Sequence, residues 1–117
     1  MATATLETVI NEAAVLAEKA TDAYVNTKLG GQDAYPCGFA WVNIYSHDGK
    51  KIRANSKMGK ALASLGIKKS DYDKCFRVYN PSGTMLQNMD AKYAGAQAYA
   101  QHLKSYGFEA YAQERMD

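Results

Sequence analysis

The strongest constraint on the fold is a change of hydrophobic period early in the chain, from a helical spacing to a strand-like run. In TLETVINEAAVLAEKATDAYVNTK, residues 5–28, Leu6, Val9, Ile10, Ala13, Leu16, Ala17, Ala20 and Tyr24 recur three and four apart. That spacing gathers them into one apolar stripe along a helix. Thr3 or Thr5 is placed to cap its start, Glu7 sits near the positive end of the dipole and Lys28 near the negative end. Gly30 and Gly31 end it. After the connector QDAYPCG comes FAWVNIY, whose aromatic and β-branched residues suit a pleated surface. With 117 residues to distribute, the chain has room for one core, and residues 1–117 read as a single domain.

The rest of the chain continues the alternation. Asp48-Gly49 is a two-residue hairpin signal, so residues 50–54 are expected to pair back as a short strand. NSKMGKALASLG places Met58, Ala61, Leu62 and Leu65 on one face of a short helix, with Asn55 or Ser56 as cap and Gly66 as stop. CFRVYNPSG reads as a strand halted by Asn80, Pro81 and Gly83. A third helix is expected from about Asp90, with Gly95, Ala96, Tyr99, Leu103 and Tyr106 inward and Gly107 at its left-handed end. FEAYAQERMD closes the chain as a strand.

The predicted order is α-β-(β)-α-β-α-β: an N-terminal helix in residues 1–30, then a three- to four-stranded sheet in 35–117 with two crossover helices. If the strands that each helix joins run parallel, the crossovers are right-handed. A ferredoxin-like split arrangement and a plain open sheet both satisfy the pattern. Along the first strand Phe39, Trp41 and Asn43 point one way and Ala40, Val42 and Ile44 the other, with apolar groups on both sides. The strand is therefore expected at the centre of the sheet, covered by helices on one face and by helix one or a partner on the other. The stripe of helix one exceeds what such a sheet needs, which marks residues 5–28 as a homo-oligomer or partner surface.

Composition narrows the function classes. The chain is 47% hydrophobic and 22% charged, as ordered domains are, and no apolar run approaches the length of a bilayer span. No secretory signal opens it, so a cytoplasmic protein without membrane partners is expected. Two cysteines and two histidines offer no metal template, SKMGKALAS shares only Gly-Lys with a phosphate-binding loop, and no cofactor is expected. Cys37, between Pro36 and Gly38, is the one candidate nucleophile. As a cysteine hydrolase it needs His47 or His102 as its base; the plainer reading makes Cys37 and Cys75 small apolar residues at strand starts.

Charge is the most uneven feature. Residues 50–77 hold nine cations against Asp71 and Asp73, a surplus of seven, whereas the first 49 residues hold Lys19 and Lys28 against six carboxylates. Lys50, Lys51, Arg53, Lys57, Lys60, Lys68 and Lys69 are the candidate nucleic-acid contacts, provided that they share one side, with Tyr72 and Phe76 as the nearest stacking rings. A solvated lysine face is the bland alternative. A modulator of a host protein, meeting an acidic patch through the same lysines, is the other.

YPCGFAW at 35–41, NPSG at 80–83, QNMDAKYAGAQAYA at 87–100, YGFEAY and the terminal RMD resemble a family of small uncharacterised proteins of tailed bacteriophages. The resemblance covers most of the chain beyond helix one and implies a setting, the cytoplasm of an infected bacterium, where small proteins often bind host factors or nucleic acid. By position it singles out Cys37, Trp41, Asn80, Gln87, Asn88, Asp90, Lys92, Arg115 and Asp117. Structural roles stand beside these: Asn80 in a turn, Asp90 as a helix cap, Asp117 at a chain end. AGAQAYAQHLKSYGFEAYA also looks like the helix-then-strand half of sporulation-related repeats, which bind peptidoglycan behind an anchor or export signal. The reading that emerges is a non-enzymatic binding protein.

Overall fold

The first strand finds partners on both of its edges, and this fixes the rest of the topology. In the computed structural model, which describes residues 3–117, the elements are α1 (Thr3–Lys28), β1 (Gly38–Tyr45), α2 (Lys57–Ser64), β2 (Lys68–Lys69), β3 (Phe76–Tyr79), α3 (Met89–Ser105) and β4 (Glu109–Met116). The sheet order is β2-β3-β1-β4, antiparallel throughout. β1 and β2 are each antiparallel to β3, so α2 joins two parallel strands with β3 between them. α3 likewise joins β3 to β4 across β1. Two interleaved split β-α-β units make this the ferredoxin-like arrangement, with α1 added in front.

The returning strand expected over 50–54 does not form. Ser46 and Lys50 do close a turn, the Ser46 amide donating to the Lys50 carbonyl over 2.9 Å. Beyond it β1 has no free edge, since β3 pairs with residues 41–44 and β4 with residues 38–45. The chain instead drops Ile52 into the core and proceeds to α2.

All three helices serve one face of the sheet. Ala40, Val42 and Ile44 of β1, Phe76 of β3 and Ala110 of β4 are buried with Leu62 of α2 and Ala96, Tyr99, Ala100 and Leu103 of α3. α1 lies against α3, and Leu6, Val9, Ala13 and Ala17 belong to the same core. Gly95 allows that approach: a Cβ there would stand 2.6 Å from Thr21 Oγ1 and 3.0 Å from the Ala17 carbonyl. Thr21 Oγ1 donates to the Ala91 carbonyl over 2.7 Å, tying the two helices together. Helix one therefore does not cover the second face, and its stripe is largely consumed within the molecule. Among the described residues, Val15 and Leu16 are its exposed large apolar side chains.

Three helix ends refine the sequence reading. Thr3 and Thr5 lie inside α1, so its cap falls outside the described residues. Ser56 caps α2, its Oγ accepting from the Gly59 amide. Asn88, not Asp90, caps α3: its Oδ1 accepts from the Ala91 amide over 2.8 Å, and Asp90 sits in the first turn. Asp33 holds that end from outside by accepting from the amides of Gln87 and Asn88, and the Gln87 contact leads in keeping its carboxyl below the usual range. At the far end Gly107 takes φ +95°. Tyr106, expected inward, is instead 46% exposed, because the helix ends at Ser105 and Tyr106 already belongs to its cap. Among the described residues no helix is long and apolar enough to cross a membrane.

Candidate nucleic-acid interface

Residues directly opposite in antiparallel strands share a face, so the register defines what the side away from the helices presents. Phe39 faces Arg115, Trp41 lies between Tyr79 and Gln113, Asn43 between Arg77 and Tyr111, and Tyr45 opposes Glu109. Lys68 of β2 opposes Arg77 and completes the row. None of the helices packs there. Phe39, Tyr79 and Tyr111 are 45%, 63% and 43% exposed, far more than rings in a core. Trp41 and Tyr79 meet at 6.4 Å between centroids, and Tyr45 and Tyr111 at 5.9 Å, in tilted geometry.

Cations are interleaved with these rings. Arg77 lies over Trp41 and Tyr79 at 5.2 and 5.9 Å, and Arg115 over Phe39 at 5.6 Å. Lys92 reaches the same ring from α3 around the start of β1, and Lys104 stands over Tyr111 at the β4 edge. Arg77 is fully engaged: Nε donates to Asn43 Oδ1 over 2.9 Å, one terminal nitrogen to the Tyr79 hydroxyl and the other to Asp73. Lys68 and Arg115 are exposed and form no ion pair among the described residues.

Beside Arg77 the face ends in a polar cluster. Burial works against ionisation of Asp73, but hydrogen bonds from the Cys75 thiol and amide and from Arg77 outweigh it and hold the carboxyl down to about 2. The Cys75 thiol moves the other way, raised by burial and then by the Asp73 carboxylate. It is a protonated donor at neutral pH rather than a nucleophile.

Cys37, the other cysteine, bridges to Asn88 at the start of α3. His47 lies past the far end of β1, about 25 Å along the strand. His102 is fourteen residues further along α3, about 20 Å up the helix, where it contacts Glu12 and the Tyr106 ring. Neither histidine can serve Cys37 as a base.

The seven basic candidates do not share one side. Lys57 and Lys60 are exposed on α2, on the helical side of the molecule. Lys50, Lys51 and Arg53 gather at the sheet end near the Ser46–Lys50 turn. Lys68 joins the uncovered face, whereas Lys69, one residue on, points to the other side over Phe76. Phe76, offered as a stacking ring, is buried in the core, and Tyr72 is exposed in the β2–β3 turn.

Of the positions drawn from the phage resemblance, Trp41 and Arg115 lie on the uncovered face. The others are largely structural. Asn80 turns the chain at φ +45° and donates to the Thr84 carbonyl; Lys92 is buried and donates to the Gly38 carbonyl over 2.9 Å; the Asp117 amide closes on the Cys37 carbonyl. The Gln87 carbonyl accepts from the Gly38 amide, and the Gln87 amide donates to the Asp33 carboxylate.

Phe39, Arg77, Tyr79 and Tyr111 were not legible as one surface. The alternation in FRVY and EAYAQERM assigns each a side of its own strand, but only the pairing register brings those sides together. No group of three or more potential metal ligands occurs among the described residues. Comparison with known proteins returns no matching family model, no similar curated protein and no similar solved structure.

Proposed function

We propose that the chain binds single-stranded nucleic acid on the uncovered face of its sheet. The observation that carries this reading is the row of exposed rings Phe39, Tyr79 and Tyr111 around Trp41, interleaved with Arg115 and Lys68. Every base has a π face, so such rings stack bases with little sequence preference, while unpaired cations meet the phosphates. Four-stranded sheets with aromatic faces bind RNA in this way in RNA-recognition motifs, which is support by fold-level analogy. A duplex hides its base faces, so the rings favour single strands. The sequence resemblance alone supports a phage-infected bacterium as the setting.

Trp41 supplies the test. Titration with random single-stranded DNA and RNA oligonucleotides at two salt concentrations should quench its fluorescence, more for single strands than for a duplex, with weaker binding at the higher salt. No binding even at low salt overturns the reading and turns attention to a protein partner for the same face.

A further inference from the structure

A concave surface distinct from the uncovered sheet face lies at the end of the sheet, away from Phe39 and Tyr79. There the β1–α2 connection and the α3–β4 turn line an open groove of about 550 Å³, within the size range of small-molecule sites. Its accessible lining is apolar through the half-buried Met58, the exposed Tyr106 and the methylene stems of the rim cations, above Ile52 and Phe108, which are already 4% and 7% exposed and close the bottom. Tyr106, whose ring also meets His102 edge-on, lines one side.

The rim is basic. Lys50, Lys51 and Arg53 are exposed on it, and none forms an ion pair among the described residues. Asp48 is the one carboxylate on the lining, and it is committed to its own turn, accepting from Ser46 Oγ and from the Lys50 amide. Three cations around an apolar lining attract a ligand that carries both features. A bare phosphate would use the rim and leave the lining wet; a neutral hydrocarbon would use the lining and leave the charges unmet.

We propose that this groove binds a small anion with an apolar body, a medium-chain or aryl carboxylate, with the hydrocarbon against Met58 and Tyr106 above Ile52 and Phe108, and the carboxylate among Lys50, Lys51 and Arg53. The site is independent of the uncovered sheet face.

The test is a titration of the full chain with decanoate, followed by amide chemical shifts, with decanol and acetate as comparators. Decanoate should shift the amides of Ile52, Gly107 and Phe108 saturably, decanol more weakly, and acetate not at all. The double variant Lys51→Glu, Arg53→Glu changes only exposed side chains and should weaken decanoate by about tenfold while leaving decanol unchanged. Absence of shifts with decanoate, equal affinity for decanol, or shifts that map outside the groove would each overturn the proposal.

Discussion

Arg77 lies diagonally across the two central strands from Trp41, its guanidinium carbon 5.2 Å from the centroid of the indole ring. The register produces this pairing: Asn43 opposes Arg77 and Trp41 opposes Tyr79, so the arginine crosses one pair to reach the indole. Asp73 and Asn43 fix the guanidinium from the other side. The consequence is a division of labour on one face. Arg77 orders the rings and has its charge balanced, while Lys68 and Arg115 leave theirs exposed.

That division makes the aromatic contribution separable from folding. Tyr79 is 63% exposed, so Tyr79→Ala, which gives up its contacts with Trp41 and Arg77, should cost no more than about 1–2 kcal/mol in a thermal melt and leave the protein folded. In fluorescence anisotropy with a single-stranded oligonucleotide the same variant should lose about 1–3 kcal/mol of binding, at least fivefold in affinity. Unchanged affinity would remove Tyr79 from the surface of contact.

The cations should be visible in the salt dependence. If Lys68 and Arg115 each neutralise one phosphate, Lys68→Ala and Arg115→Ala should each reduce the slope of log K against log salt by about 0.7 for single strands. Lys57→Ala and Lys60→Ala, on the helical side, should leave the slope where it was. Equal effects from all four would mean that charge acts without regard to face.

How much of this was legible in the sequence depends on the range of the information. α2, β1 and the stop at Gly107 are local, set by spacing and by residues that cap or break, and they emerge where expected, with Ser56 rather than Asn55 as the cap of α2. The strand over 50–54 was also a local inference, and it failed because a distant strand, β4, occupies the edge that a hairpin would have used. The same long-range pairing assembled the aromatic face from β1, β3 and β4. The seven cations scattered for the complementary reason: neighbours such as Lys68 and Lys69 are close in sequence and point to opposite sides.

The contact between α1 and α3 gives a stability prediction. Gly95→Ala would place a methyl group 2.6 Å from Thr21 Oγ1 and 2.9 Å from the Ser82 side chain, closer than real contacts allow. Overpacking of this kind costs about 1–3 kcal/mol, and urea unfolding should show it as a lower midpoint with an unchanged slope. Because Leu6, Val9 and Ala13 lie in the same core, deletion of residues 1–28 should give an unfolded or aggregated product rather than a folded monomer.

The last prediction concerns acid. Asp73 titrates at about 2 in the folded protein against an ordinary value of 3.8, so the folded state favours its ionised form. A carboxyl depressed on folding adds stability that is fully present above its unfolded pKa and is lost as pH falls through the folded one. The contribution of Asp73 should therefore be constant from neutral pH down to about pH 4 and should vanish between there and about pH 2. Asp73→Asn removes it at every pH, so urea midpoints of the two proteins should differ at pH 7 and converge in that window. The same substitution leaves the Arg77 charge unbalanced beside Trp41 and Tyr79. At neutral pH it should strengthen oligonucleotide binding and steepen its salt dependence, although the fold has become less stable. Weaker binding by Asp73→Asn would show instead that the order Asp73 imposes on Arg77 matters more to the surface than the charge it cancels.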